Sequence, residues 1–130
     1  MLYYGTFFRD TELRPLFLIL LPFLLCVSLA SCESERRKSD AELGLNAQQA
    51  AGRHVFDNRC ARCHEPYSSR ALQGPSLKGM YQKPQLPSGA PTNDDRVGEV
   101  IRYGRAKMPA YGRVLSDQQI NQVLAYLHTL

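Results

Sequence analysis

Apolar side chains are distributed along this chain in two distinct ways. Residues 16–29 are nearly all Leu, Phe, Ile and Val, and residues 33–45 are then polar and charged with no sustained apolar periodicity. From Asn46 the spacing becomes helical. The run Asn46-Ala47-Gln48-Gln49-Ala50-Ala51-Gly52-Arg53-His54-Val55-Phe56 reads as a helix with Asn46 as its N-cap. Asp94 to Tyr103 reads as a second helix, ended by Gly104. Ser116-Asp117 opens a third, whose Ile120, Val123, Leu124 and Leu127 recur at the spacing of one helical face. Between the first two, the proline-rich stretch 83–91 reads as a surface loop.

The apolar run is preceded by Arg9 and Arg14 and followed by small residues, the layout of an export signal. About 20 apolar residues are needed to span a bilayer, and this run is shorter and broken by Pro22. Export is therefore expected rather than a permanent span. The run closes on Leu29-Ala30-Ser31-Cys32, which resembles the lipobox of bacterial lipoproteins. That resemblance implies cleavage before Cys32, lipid on its thiol, and acylation of the new amine. An ordinary cleavage signal that leaves Cys32 a free thiol is the alternative. Several acyl chains exceed the one-chain threshold at which membrane binding is only reversible. Glu33 follows the cysteine, which by the sorting pattern of some enteric bacteria points to the outer membrane over the inner. The expected organisation is a signal over 1–31, a polar tether over 32–45 and one domain over 46–130. As a flexible coil such a tether would reach roughly 20 Å.

Eight prolines, nine glycines and no tryptophan among 130 residues describe a small globular protein with substantial loops. A domain this small has a thin core unless something is added to it. A cofactor would serve. The net charge of +4 is unchanged by removal of residues 1–31, whose two arginines balance Asp10 and Glu12. With no basic run interleaved with aromatics, nucleic acid is not an expected partner. A docking preference for acidic proteins and a merely solvated surface both fit the excess.

Chemistry enters with Cys60-Ala61-Arg62-Cys63-His64, because C-x-x-C-H in an exported protein is the attachment signature of c-type haem. Two thiols at this spacing reach the two vinyl groups of one porphyrin, and the histidine that follows is placed beneath the iron. A thioredoxin-like motif needs a neighbouring strand–helix unit, and structural zinc needs four ligands. Neither context is present. One such motif predicts one haem. No paired-carboxylate motif, nucleophile elbow or phosphate loop points to bond-making catalysis.

With this motif the chain resembles the class I cytochromes c from about Leu45 to Leu130. Gly52 and Phe56 stand before the first cysteine as that family's glycine and aromatic do, and Tyr126 takes the family's aromatic position on the last helix. The resemblance implies an all-α class I fold of three to five helices around one covalent haem c with its iron. It implies a close crossing of the first and last helices, and a carbonyl of Pro75 accepting from the N–H of His64. A simple turn at Gly74-Pro75 is the alternative to that last role. Outside the signal, Met80, Met108, His54 and His128 compete for the sixth ligand position. Met80 follows a loop expected on the proximal side, and both histidines lie on helices expected behind the haem. Met108, in Gly104-Arg105-Ala106-Lys107-Met108-Pro109, stands where the family places its distal methionine.

The implied function is a single-electron carrier with His64 and Met108 as axial ligands. Its partners are redox proteins, and as a soluble unit it is expected to be monomeric. Two other readings stay open: a fixed haem relay in a periplasmic dehydrogenase or terminal oxidase, and a ligand sensor or peroxidase in which Met108 dissociates. Arg59, Arg62, Lys78, Arg105, Lys107 and Arg113 lie around the motif and the methionine segment, against Asp57 and Glu65.

Overall fold

The computed structural model describes residues 38–130. The expected signal and Cys32 lie outside the described residues. Among the described residues, three α-helices, α1 (Ala47–Arg59), α2 (Asp94–Tyr103) and α3 (Asp117–Leu127), account for the regular structure, with one 3-10 turn at Met80–Gln82. Among the described residues no strand forms, and pairing is limited to two isolated antiparallel bridges. This is the all-helical architecture expected of the family.

Local chemistry explains where each helix starts and stops. The Asn46 side chain accepts from the Gln49 backbone N–H while the Gln49 side chain accepts from that of Asn46, and Ser116 and Gln119 repeat the arrangement at α3. Each box satisfies two backbone donors that a helix start leaves open. Helix α2 begins with the Asn93 cap and carries Asp94 and Asp95 in its first turn, where carboxylates complement the positive end of the helix dipole. It ends at Gly104, whose φ of 72° is one that a side chain rarely permits.

The core forms where α1 crosses α3. Gly52 lies against the backbone carbonyl of Gln122 so closely that a Cβ would collide with it, and would stand 3.0 Å from the Tyr126 Cβ. One turn on, the Phe56 and Tyr126 rings meet tilted with centroids 5.3 Å apart. Both rings are essentially inaccessible to solvent. The predicted face of α3, Ile120, Val123, Leu124 and Leu127, is buried, together with Val97 and Ile101 of α2. Burial of each such side chain is worth about 1.5–3 kcal/mol, so the crossing supplies much of the stability of a small domain.

Residues 38–45 depart from the expected tether. They form a folded turn, with Leu43 and Leu45 amides donating to the Ser39 and Asp40 carbonyls and with Leu45 packed against the core. Asp40 reaches the Arg53 guanidinium at 2.8 Å, and Arg53 is itself buried on α1. A buried guanidinium needs a carboxylate. The nearer of its two carboxylates, Asp40, lies 13 residues away, beyond any helical period, while Asp57 stands 3.8 Å away one turn along the helix.

The C-terminus is fastened as well. Asp94 Oδ1 accepts from the Tyr81 hydroxyl at 2.6 Å and lies 2.8 Å from His128 Nε2, while the Tyr81 and His128 rings stack. The Tyr81 hydrogen bond first, then that from His128, holds the Asp94 carboxyl below its ordinary range.

Gly52→Ala is expected to destabilise the domain by about 1–3 kcal/mol, the usual cost of forcing extra volume into a close-packed contact, despite alanine's better helix propensity. Chemical denaturation measures this. Unchanged or raised stability would show that the crossing yields easily.

Candidate functional site

The C-x-x-C-H motif continues directly from α1. Cys60 is the C-cap, with its amide donating to the Phe56 carbonyl, and the amides of Cys63 and His64 both turn back to the Cys60 carbonyl at 3.0 and 2.9 Å. This single extra turn gathers two thiols and one imidazole at the end of the helix fixed by the α1–α3 crossing. All three side chains are half-buried. Burial, more than the neighbouring Cys63 and Asp57, pushes the Cys60 thiol up to about 11, so it is protonated at neutral pH. The Cys63 Sγ lies 3.5 Å from the Gln73 side-chain oxygen, a contact the sequence did not suggest.

After His64 the chain makes a loop that returns to the imidazole. The Gly74 amide donates to the Cys63 carbonyl and that of Leu77 to the Glu65 carbonyl. This closure sets Pro75 so that its carbonyl oxygen is 2.9 Å from His64 Nδ1. The tautomer with its proton on Nδ1 satisfies that contact and leaves Nε2 with a lone pair for a metal. Gly74 is required here for space: a Cβ would stand 2.5 Å from Cε1 of the ring. The expected Pro75 partnership is thus present in the geometry, rather than a simple turn.

Farther from the ring, the loop is tied to itself and to α3. The Ser76 hydroxyl donates to the Ser68 carbonyl at 2.6 Å. The phenols of Tyr67 and Tyr126 share a hydrogen bond at 2.8 Å across 59 residues of sequence. Burial, and then this bond, raises the Tyr126 phenol above its ordinary range.

Met108 sits in a tight turn. Arg105 and Met108 exchange both backbone hydrogen bonds, at 3.1 and 2.9 Å, with Ala106 at the unusual φ of 52°. Gly104 lets this turn fold back, since a Cβ there would press on the Met108 carbonyl. The following residues dock on α2 through Tyr111 and Gly112 amides to the Ile101 and Arg102 carbonyls. The Tyr111 hydroxyl then donates to the Arg59 carbonyl at 3.0 Å. That bond joins the methionine segment to the residue before Cys60. Tyr111 was not singled out from sequence, and only its place two residues after Pro109 could have drawn attention to it.

The other sulfur and imidazole candidates lie elsewhere. Met80 is buried in the apolar core, His54 is exposed on α1, and His128 is engaged with Asp94 and Tyr81. Met108 is half-buried at the core's edge. Two unpaired thiols, an imidazole with Nδ1 already engaged and a thioether on an adjoining segment make a donor set that fits a covalently attached haem. Arg59, Arg62, Lys78, Arg105, Lys107 and Arg113 are all exposed.

Comparison with known proteins agrees with this geometry. The family model described as cytochrome c oxidase, cbb3-type, subunit III matches residues 47–127. The chain is 31% identical over 83 residues to cytochrome c6 of Rippkaea orientalis, covering 64% of this chain and 71% of that protein. It is 33% identical over 84 residues to cytochrome c6 of a Picosynechococcus species, covering 62% and 72%. Against cytochrome c6 of the more distant Tetradesmus obliquus, identity is 26% over 83 residues, with 91% of that protein covered. The matched span contains all three helices, the C-x-x-C-H turn and the methionine segment, and the chain belongs to the cytochrome c oxidase, cbb3-type, subunit III family of c-type cytochrome domains.

Proposed function

We infer that this chain is a single-haem electron carrier in which His64 and Met108 are the axial ligands. As a c-type cytochrome it is an electron-transfer protein rather than an enzyme, and its cofactor is haem c, attached through Cys60 and Cys63. Bound there, the haem supplies a one-electron iron couple. The protein's own contribution is to hold ligands. The observation that carries the assignment is the His64 Nδ1 contact to the Pro75 carbonyl, which fixes the ring's orientation and makes Nε2 the coordinating nitrogen. Tyr111 supports the distal half by holding the methionine segment to the end of α1. With both axial positions taken by protein, oxygen and peroxide have no open site, which favours electron transfer over ligand sensing or peroxidase chemistry.

The partners are redox proteins. Six exposed cations around the C-x-x-C-H turn and the methionine segment, against exposed Asp57 and half-buried Glu65, favour an acidic docking face on the partner. Leu29-Ala30-Ser31-Cys32 supports a signal over 1–31, lipidation of Cys32 and attachment to the periplasmic face of a membrane, with Glu33 favouring the outer one. The family's description as an oxidase subunit favours a second reading, a fixed relay within a terminal oxidase.

The decisive test of ligation is the visible spectrum of the matured protein with and without carbon monoxide. The wild type should show a sulfur-to-iron band when oxidised and no response to carbon monoxide. Met108→Ala should lose the band and bind the gas, and a wild type that binds carbon monoxide would support the sensor or peroxidase reading instead. Electron transfer to an acidic redox protein should slow severalfold between about 0.01 and 0.15 M salt, as the Debye length contracts from about 30 to about 8 Å. A rate flat across that range would remove the acidic-partner assignment. Cys32→Ser should release the protein from membranes, whereas continued membrane binding would end the lipid-anchor assignment. Run on a sizing column after mild detergent extraction, the wild type should migrate as a single chain in its micelle. Co-elution with a larger oxidase would establish the fixed-relay reading.

A further inference from the structure

The loop that carries Pro75 is secured at a point where the family resemblance predicts nothing. We propose that Tyr67 and Ser76 are positioning residues that hold the Pro75 carbonyl against His64 and so set the reduction potential of the haem, using Tyr126 on α3 as their fixed support. The proposal rests on His64 being the proximal ligand.

The geometry forms a continuous chain. Tyr126 is immobilised at the α1–α3 crossing, with its ring against Phe56. Its hydroxyl meets that of Tyr67 at 2.8 Å. Ser68, the next residue, gives its carbonyl to the Ser76 hydroxyl at 2.6 Å. Ser76 adjoins Pro75, whose carbonyl lies 2.9 Å from His64 Nδ1. Each link is a short hydrogen bond or one peptide unit. Pro66, between His64 and Tyr67, is fully buried, and so limits how far the loop's first strand of chain can drift.

An imidazole that donates its Nδ1 proton to a carbonyl becomes a stronger electron donor through Nε2. A stronger donor stabilises ferric over ferrous iron and lowers the potential. Loosening the loop lengthens the His64–Pro75 bond, weakens that donation and raises the potential. A role confined to packing would lower stability and leave the potential where it was.

The experiment uses the haem-loaded protein and reads the midpoint potential by spectroelectrochemistry beside thermal stability. Tyr67→Phe, Tyr126→Phe and Ser76→Ala are compared with Asp94→Asn, which loosens the Tyr81 and His128 cluster away from this route. The first three should each raise the potential, up to about a tenfold change in the reduced-to-oxidised ratio, equivalent to 59 mV for one electron. The Tyr67→Phe/Tyr126→Phe double variant should shift no further than either single one, because both remove the same bond. Asp94→Asn should not move the potential. Loss of stability with unmoved potentials in all three would overturn the proposal while leaving the ligand assignment intact. A matured wild type whose spectra show no histidine on the iron would instead overturn the His64 assignment, and the proposal with it.

Discussion

The contact between Gly52 and the backbone of Gln122 is the constraint on which the remaining structure depends. Only a residue without a Cβ lets α1 and α3 approach so closely, and that approach brings Phe56 and Tyr126 into contact one turn later. Cys60 follows Phe56 by four residues, and its amide is bonded to the Phe56 carbonyl. The position of the C-x-x-C-H turn is therefore inherited from the helix crossing. So is the position of Tyr126, which reaches the proximal loop through Tyr67. One close approach of two helices thus places the thiols, the imidazole and the support of the loop that orients the imidazole.

The Met108 side of the site is held differently. Its methionine is carried by a short irregular segment whose backbone is bonded to the end of α2 and whose Tyr111 is bonded to the end of α1. Tyr111 bridges two helix ends there, so the segment has supports that do not depend on its own conformation. Gly104 and Ala106, both at positive φ, bend it sharply enough to present Met108 beside the core instead of extending α2 into solvent. His64 is fixed by a helix and a self-bonded loop, and Met108 is fixed by docking.

Much of this was legible in the sequence because it obeys short-range rules. Asn46, Ser116 and Gly104 act at helix ends, where side-chain and backbone chemistry within three or four residues decides the outcome, and all three do what their identity implies. The face of α3 follows from its period. The C-x-x-C-H motif reads directly because its spacing is its chemistry. What escaped notice depends on contacts between residues far apart in the chain. Asp40 with Arg53, Tyr67 with Tyr126 and Tyr111 with the Arg59 carbonyl are separated by 13, 59 and 52 residues. No local period or cap marks such partners. The turn over 38–45 read as tether for the same reason, since its polarity is that of a solvated segment and its ion pair with Arg53 is visible only in three dimensions.

That ion pair has a mechanical consequence. A pull on the chain from upstream of Lys38 reaches Asp40 before it reaches Asn46, and Asp40 is held by a guanidinium buried in the body of α1. Part of the tension is thereby passed to the middle of the helix, not all of it through the hydrogen-bonded first turn. A chain that joined the helix directly at its cap would fray from that end under load. Here the ion pair shares that load, entering the domain one residue from Gly52, where α1 lies against the backbone of α3.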